Sequence, residues 1–526
     1  MSFDRPSATL SAADTLRVPL PRGRSGRRSR RRIRLGPAWA AALAAGCVAA
    51  ALTIARHPTF GFLAVAGAAA ACVVLIRPRL ATPLVVFLLA SNTPAVLVNR
   101  HGVPAAAAAL VPFLLVLPLM STLLRRERLM VTPVALLLAL YLVVQIVAGL
   151  QAIDMGIVEN RLLTFVLEGL LTLFLITNVV RTYKTLRDAT WALVAGLGFL
   201  GMVTLVQYLT HSWYRTFFGF GQVSSDYFYG LVDQPRLQGP IGDPNYFAQV
   251  LLLGIPLGFA LAATARSSRE RATALAATGC MFAGILFTYS RGAVVAFLLA
   301  FALLVALRQI KVRYGVVLAI LLVVVVATVP SYRSRVESLT SVGGAGAQVG
   351  TTAASDSSVG GRVTEMHAAL LVWADHPVFG VGPSQFPLYY QRYALVVGGQ
   401  VHTSVAYGPS KGSSPGRVTH DLFLGIAADL GVVGLIVFLS ILAVTLRGLW
   451  RPCSDRVNVS PALAAVNAGY LVAIVAYIAA GLFLELAYER YFWLILALAC
   501  SAVRVAGIAS AQTAVANNGR AAAEPR

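Results

Sequence analysis

A single histidine stands where a long polar segment gives way to an apolar run. His420 lies within Thr419–Leu424, and the apolar run continues to about Leu446. A helix beginning here would hold the ring at its N-terminus, where the dipole disfavours the imidazolium and leaves the neutral ring able to accept a proton near neutral pH. The position makes His420 a candidate for accepting a proton in a reaction. The alternative is a structural histidine, which is the commoner role of an isolated one.

Two arginines have the residue type and position to bind an anion. Arg291 lies between two apolar runs, in Tyr289–Gly292, and Arg362 lies in the longest polar segment. A guanidinium presents paired N–H groups that match phosphate oxygens, so Arg291 suits an anion such as a diphosphate and Arg362 suits a phosphate. The alternative for Arg291 is that its side chain only extends to the membrane interface.

Polar residues also open the apolar run that begins at residue 244. Asp243 followed by Pro244 is a typical N-cap and first-turn pair, so helix initiation alone explains it. Asn245 and Tyr246 would nevertheless present hydrogen-bonding groups at the mouth of that helix. We therefore keep both as candidate substrate-binding residues.

The polar segments lack the spacing that metal ligands require. They contain no His-x-x-x-His and no paired aspartates at ligand spacing. The five cysteines form no pattern typical of a disulfide framework or a metal cluster. We expect neither a metal nor another cofactor.

The composition identifies a polytopic membrane protein. Of 526 residues, 58% are hydrophobic and 12% are charged, which is more apolar surface than a soluble core can absorb. The net charge of +22 is spread in small clusters between apolar runs, apart from one dense cluster near the N-terminus, and this favours membrane orientation over nucleic-acid binding. We expect an all-α fold with about 12–14 transmembrane helices.

The basic clusters predict the orientation of these helices. Runs of about 20 apolar residues recur, and alternate connections between them are rich in arginine. With a basic tail inside, the connections near 125–128, 181–187 and 266–271 are cytoplasmic, as are both termini. The protein is then a multi-pass protein of the inner (cytoplasmic) membrane, with His420 and Arg291 on the extracytoplasmic side.

The chain is expected to divide into five segments. They are a disordered basic cytoplasmic tail (1–35), transmembrane helices with an exterior loop near 210–243 (36–330), a large extracytoplasmic loop (331–418), C-terminal transmembrane helices (419–507) and a disordered cytoplasmic tail (508–526).

The large loop has an internal pattern. Its stretches Thr340–Gly361 and Ser410–Gly416 are rich in small and polar residues and are expected to be flexible. Between them, Val363, Met366, Leu370 and Trp373 recur at helical spacing. They predict an amphipathic helix over Arg362–Asp375, with that apolar face on the membrane surface or against the bundle.

One acid lies inside an apolar run. Glu168 could relay protons, as in transporters, or could form a structural pair with an arginine of a neighbouring helix. Because no second acid lies at a comparable depth, a coupled transporter is the minority interpretation.

The order of these motifs resembles the O-antigen ligase superfamily, which also includes O-antigen polymerases and certain protein O-oligosaccharyltransferases. The resemblance covers about 236–440. It rests on Asn245-Tyr-Phe-Ala248, Ser290-Arg-Gly292, Trp373-x-x-His-Pro-x-x-Gly-x-Gly-Pro-x-x-Phe386, and His420-Asp-x-x-Leu424 followed by glycines at 431 and 434.

This resemblance implies a GT-C-like bundle and an inverting, metal-independent glycosyltransferase. Such an enzyme takes a glycan from a polyprenyl (undecaprenyl-type) diphosphate and transfers it to an acceptor hydroxyl of a glycan, lipid or protein on the exterior face. By the resemblance, Arg291 binds the diphosphate, His420 is the base or orients the acceptor, and Arg236 and Arg362 are further phosphate partners. Asp421 stands where asparagine or serine is more usual in the family.

Three alternatives remain open. A polymerase of the same superfamily would differ only in using a second lipid-linked glycan as acceptor. A flippase or exporter for lipid-linked glycans would need charged residues along a path through the bilayer, whereas here they gather on one side. A scaffold role in envelope assembly would fit better if Arg291 or His420 were missing.

Overall fold

The computed structural model describes residues 77–311, 313, 353–398, 417–455, 458–485 and 489–523, except residues 110 and 231. The tail predicted for 1–35 lies outside these residues. So do the apolar runs 36–55, 58–76 and 314–330, residues 340–352 of the flexible stretch predicted for Thr340–Gly361, and the flexible stretch predicted for Ser410–Gly416. Residues 353–361 of the first stretch are helical instead of flexible.

The described residues are helical and contain no sheet, only an isolated bridge between Val223 and Leu237. The α-helices, in chain order, are α1 (Ala81–Ala90), α2 (Thr93–His101), α3 (Ala105–Ala109), α4 (Val116–Leu124), α5 (Pro133–Gly149), α6 (Met155–Thr164), α7 (Thr172–Val179), α8 (Tyr183–Leu209), α9 (Ser225–Phe228), α10 (Pro244–Ala263), α11 (Ser268–Phe287), α12 (Arg291–Ala306), α13 (Ala353–Asp375), α14 (Phe386–Val397), α15 (Leu422–Ser454), α16 (Pro461–Gly481) and α17 (Glu489–Ala523). Short 3-10 helices occupy Pro78–Leu80, Val111–Leu115 and Phe217–Gly219, and a π-helix at Phe165–Leu171 joins α6 to α7.

Six helical segments in this part of the chain are long and apolar enough to cross a membrane. They are Met155–Val179, Tyr183–Leu209, Pro244–Ala263, Leu422–Ser454, Pro461–Gly481 and Arg490–Ala514. A seventh is obtained if Pro78–Ala90 and Thr93–His101, which meet at 55°, count as one span. The prediction of an all-α polytopic membrane protein is confirmed.

Several predicted runs form shorter or broken helices. The run 103–124 divides into α3, a 3-10 turn and α4, while 131–153 and 292–307 form helices of 17 and 16 residues. At the other end of the chain, α17 continues to Ala523, beyond residue 507 where a disordered tail is predicted. Alanine is frequent there, and its high helix propensity explains the extension.

Loops that were predicted to share the cytoplasmic side do meet. Arg181 pairs with Glu127 at 2.9 Å, and Arg187 pairs with Glu270 at 2.5 Å. These contacts join the connections near 125–128, 181–187 and 266–271. Such contacts are what an alternating up-and-down path through the bundle would produce.

Helix α10 occupies the centre of the bundle. Of its most apolar stretch, 89% is buried, and the helix packs against α8, α11 and α16. A helix that is apolar on every side must be enclosed by others, which explains the near-continuous apolar sequence of Pro244–Ala263. The N-terminus of α10 therefore has a fixed position beneath the loop that carries Arg236.

Glu168 forms an ion pair, as one of its two interpretations predicts. Its Oε1 accepts hydrogen bonds from Arg490 Nε at 2.8 Å and Nη2 at 2.5 Å, and Arg490 Nη1 donates to Asn92 Oδ1 at 3.1 Å. Glu168 lies in the π-helix and Arg490 at the start of α17, so the pair joins two neighbouring helices. Because both charges are compensated, Glu168 gives no separate support to proton-coupled transport.

The helix predicted over Arg362–Asp375 is present, but it begins earlier, at Ala353, and buries another face. Thr364, Glu365, Ala368, Ala369 and Val372 are buried, whereas Val363 and Leu370 are 47% and 42% exposed. Small residues on the buried face let α13 approach α14 and α15 closely. Val363 and Leu370 of the predicted apolar stripe therefore face away from the helices that α13 packs against, whereas Met366 and Trp373 are half-buried.

Helix α15 is broken at Gly431, where φ is 66° and ψ is −167°. The segment Pro377–Gly382 pairs with the break: Val381 N and Gly382 N donate to the carbonyls of Ala428 and Asp429 at 3.0 and 2.8 Å, and Val432 N donates to Pro377 O at 2.8 Å. The Asp429 carboxylate also accepts from the backbone N–H groups of Ser384 and Phe386, at the start of α14. We call Pro377–Gly382 with the α15 break the latch. It fixes α13 and α14 against the first turns of α15.

Candidate functional site

The candidate site is a pocket where loops and helix ends from four parts of the chain meet. The space between its lining atoms, open solvent included, is about 500 Å³. The lining residues are Arg236, Asn245, Tyr289, Ser290, Arg291, Gly292, Ala293, Arg362, Ala480, Phe483 and Leu484. All three arginines singled out in the sequence are therefore brought together.

Arg236 is held in place by its neighbours. Its Nε donates to the carbonyl of Thr288 at 3.0 Å, and Nη2 donates to Asn245 Oδ1 at 3.1 Å. Asn245 is in turn fixed because Asp243 caps α10, accepting from the backbone N–H of Asn245 at 2.7 Å. A guanidinium oriented in this way keeps its charge at the pocket wall.

Arg291 is the first residue of α12, so the N-terminus of that helix opens on the pocket. The preceding N-cap, Ser290, makes no side-chain capping bond, and Gly292 and Ala293 also line the pocket. A helix N-terminus carries partial positive charge and backbone N–H donors, both favourable to an anion. The three arginines and the N-terminus of α12 therefore all contribute positive electrostatic potential to the pocket.

Part of the lining is apolar. Phe483 and Leu484 follow the end of α16, and Phe483 lies so close to Gly292 that a Cβ there would be 3.3 Å from its ring. A pocket lined by basic groups with apolar side chains beside them suits an anionic head group attached to an apolar chain. Among the described residues, no aspartate or glutamate lines this pocket.

His420 does not line the pocket but is connected to it through α13. Its Nδ1 lies 2.6 Å from Glu365 Oε2, and Glu365 is one helical turn from Arg362. Residues three apart in a helix share a face, with a rise of about 4.5 Å between them. We call His420, Glu365 and Arg417 the histidine cluster. Helix α13 therefore places this cluster beside the arginine pocket.

The histidine cluster contains two residues that the sequence did not single out. Glu365 is completely buried and also pairs with Arg417, whose Nη1 lies 3.1 Å from Glu365 Oε1. A fully buried acid is rare unless it is paired. In the sequence, Glu365 is marked only by its position three residues after Arg362. That spacing becomes informative only once the structure shows that this face of α13 is buried.

Two residues other than glycine at the site have a left-handed backbone conformation. Tyr289, in the pocket, has φ of 53°, and His420 has φ of 49°. Such angles cost of order 1–3 kcal/mol for residues other than glycine and persist where the surroundings fix them, often at functional sites. Tyr289 lines the pocket next to Arg291, and His420 is itself a candidate for the reaction.

Asp421 and Tyr246, the remaining candidates, have structural contacts. Asp421 is the N-cap of α15, where its Oδ1 accepts from the backbone N–H groups of Phe423 and Leu424 at 2.9 and 2.7 Å. Tyr246 is 8% exposed and packs in the main core, outside the pocket lining. Of the lower-ranked candidates, Asn245 alone reaches the pocket.

The described residues contain no group of three or more histidine, cysteine, aspartate or glutamate side chains that could hold a metal ion. Positive charge at the pocket comes from the protein's own arginines.

Comparison with protein-family models gives a match over part of the chain. Residues 276–439 match the family model described as O-Antigen ligase. No curated protein matches the chain. The matched segment includes Arg291, Arg362, Glu365 and His420, and it begins after Arg236 and Asn245. Over residues 276–439 the chain is therefore similar to the O-antigen ligase family, and this match supports the resemblance to that superfamily.

Proposed function

We propose that the protein transfers a glycan from a polyprenyl-diphosphate carrier to an acceptor hydroxyl at the outer face of the cytoplasmic membrane, in the manner of an O-antigen ligase. One observation carries the proposal: Arg236, Arg291 and Arg362 share a pocket, and α13 joins that pocket to His420. The diphosphate would bind among the arginines, and its apolar chain would leave past Phe483 and Leu484.

The chemistry follows from these positions. The acceptor oxygen forms a bond to the anomeric carbon as the bond from that carbon to the phosphate oxygen breaks. The electron pair of the broken bond leaves with the diphosphate, and fixed guanidinium groups stabilise the charge that develops there. The imidazole of His420 takes the proton of the hydroxyl. Attack opposite the leaving group inverts the anomeric configuration.

The test is transfer by the purified protein from a polyprenyl-diphosphate glycan. Wild type should release free carrier diphosphate, His420→Ala should lose about 100-fold or more in rate, and Arg291→Ala should lose a similar amount. Arg392→Ala, which removes an exposed arginine of α14 outside the pocket, is the control and should match wild type. Products of a single size support ligation, and a ladder of sizes indicates polymerisation.

One result would overturn the proposal. If wild type moves the glycan across the bilayer unmodified and both site variants do the same, the protein is a transporter of lipid-linked glycans.

A further inference from the structure

We infer that Glu365 is a positioning residue that holds His420 in one tautomer and orientation, so that Nε2 is the nitrogen that accepts the proton. This inference rests on the proposed function for its role in transfer. It goes further by assigning the atom that reacts and a second residue on which that atom depends.

The contacts of Nδ1 fix its role in hydrogen bonding. Glu365 Oε2 lies 2.6 Å from Nδ1, and the carbonyl oxygen of Val418 lies 3.3 Å from it. A carbonyl oxygen only accepts, and so does an ionised carboxylate. Both neighbours therefore require Nδ1 to carry the hydrogen. In the neutral ring the lone pair is then on Nε2.

Arg417 explains how the carboxylate can be charged without solvent. Glu365 has no exposed side-chain surface, and Arg417 Nη1 lies 3.1 Å from its other oxygen. A buried carboxylate needs a partner of opposite charge. Arg417 supplies that partner, so the negative charge of Glu365 is compensated without a charge on the His420 ring.

The backbone around His420 also restricts the position of the ring. The backbone of His420 is left-handed, and the next residue, Asp421, is fixed as the cap of α15. The side chain of His420 is 19% exposed, so part of the ring stays accessible while Nδ1 is engaged. This is the arrangement of a base oriented by a buried acid, as in nucleophile–base–acid triads.

The first test uses kinetics. Glu365→Gln can donate from its amide to Nδ1 and so favours the wrong tautomer. We expect kcat to fall about 100-fold or more, with KM for the lipid-linked donor changed less than about 2-fold. Glu365→Asp, which keeps the charge, should recover part of the loss. Glu159→Gln, which changes an exposed acid of α6 outside the pocket lining, is the control and should keep the wild-type kcat.

A double-variant cycle separates positioning from a general structural effect. If Glu365 acts through His420, Glu365→Gln should cause no further loss in a His420→Ala background. Losses that multiply, or a Glu365→Gln protein with the wild-type kcat, would overturn the inference.

A spectroscopic arm does not depend on transfer. In ¹⁵N spectra of histidine-labelled protein, with the His420 signals assigned by their loss in His420→Ala, wild type should show a protonated Nδ1 and an unprotonated Nε2, and Glu365→Gln should not. The reverse tautomer in wild type would overturn the inference, even if transfer occurs. The expected tautomer in a wild-type protein without transfer would support the orientation and overturn the proposed function.

Discussion

Arg236, Arg291 and Arg362 surround one pocket, and each is held differently. Arg236 is fixed by bonds to Thr288 and Asn245, Arg291 begins α12, and Arg362 lies on α13 one turn from Glu365. Three separate parts of the chain thus supply the charge. Loss of any one should weaken anion binding without removing the others' support.

Asp421 tests whether a residue beside His420 acts only through the helix it caps. Aspartate and asparagine are about equally good N-caps, so Asp421→Asn should keep both thermal stability and transfer. Asp421→Ala removes the acceptor and should destabilise the protein by about 1 kcal/mol. Thermal unfolding and the transfer rate of both variants check this. A large loss of transfer in a stable Asp421→Asn protein would instead indicate a direct role for the carboxylate.

The sequence predicted the basic side of the site better than its acid. Arg291 was conspicuous because an arginine on the outer side opposes the usual charge bias, and that argument needs no tertiary structure. Glu365 gave no comparable signal, since an acid in a polar segment normally faces water. Its importance depends on the face that α13 buries, and the exposed apolar residues Val363 and Leu370 do not mark that face.

At the scale of elements, the latch decides how α13 and α15 stand to each other. The break at Gly431 leaves helix carbonyls and N–H groups without intrahelical partners, and Pro377–Gly382 supplies them. Tyr393 of α14 makes a further contact with α13, because its hydroxyl donates to Asp375 at 2.6 Å. Burial, with the nearby Asp375 carboxylate, raises the pKa of Tyr393 to about 12. The hydroxyl therefore stays protonated and keeps donating at physiological pH.

Gly431→Ala should disrupt the latch. Its dihedral angles are essentially restricted to glycine, and a Cβ there would lie 2.2 Å from Val378 O. We expect a loss of more than about 2 kcal/mol and a fall in transfer, because α13 and His420 lose their common support.

Gly507→Ala is the matched control. This glycine lies in α17 with open space around the position of a Cβ, so alanine should be neutral or stabilising by up to about 1 kcal/mol. Thermal unfolding of the two variants compares them. Equal stability would contradict the role given to the latch.

The sequence located this element but not its conformation. Glycines at 425, 431 and 434 in an apolar run are typical of close packing between helices, yet Gly431 is required by its backbone angles and by a loop. A glycine pattern does not distinguish these uses. The sequence Gly380-Val-Gly-Pro383 is typical of a turn, but nothing in it indicates the partner about fifty residues later.

At the scale of the whole molecule, the alternation of basic loops predicts which ends of the helices share a side. The ion pairs Arg181–Glu127 and Arg187–Glu270 join loops assigned to one side, and the pocket joins segments assigned to the other. Hydropathy and charge bias determine this alternation directly. Helix bends and breaks, such as that between α1 and α2, depend on packing and were not predicted.

Sidedness can be measured by thiol labelling. In a protein whose native cysteines are replaced, Tyr214→Cys should react with a membrane-impermeant reagent added outside intact cells, because residue 214 is 86% exposed in the predicted exterior loop. Arg269→Cys, in an exposed connection predicted to be cytoplasmic, should react only after the cells are opened. The opposite pattern would place the pocket on the inner side and contradict the proposed reaction.

The most direct test of the central claim measures donor binding and turnover on the same preparations. The account assigns binding of the diphosphate to the arginine pocket and proton transfer to His420. His420→Ala should therefore bind the polyprenyl-diphosphate glycan as wild type does but fail to transfer it, while Arg291→Ala should bind it at least about 10-fold more weakly. Wild-type binding by Arg291→Ala, or wild-type transfer by His420→Ala, would contradict the account.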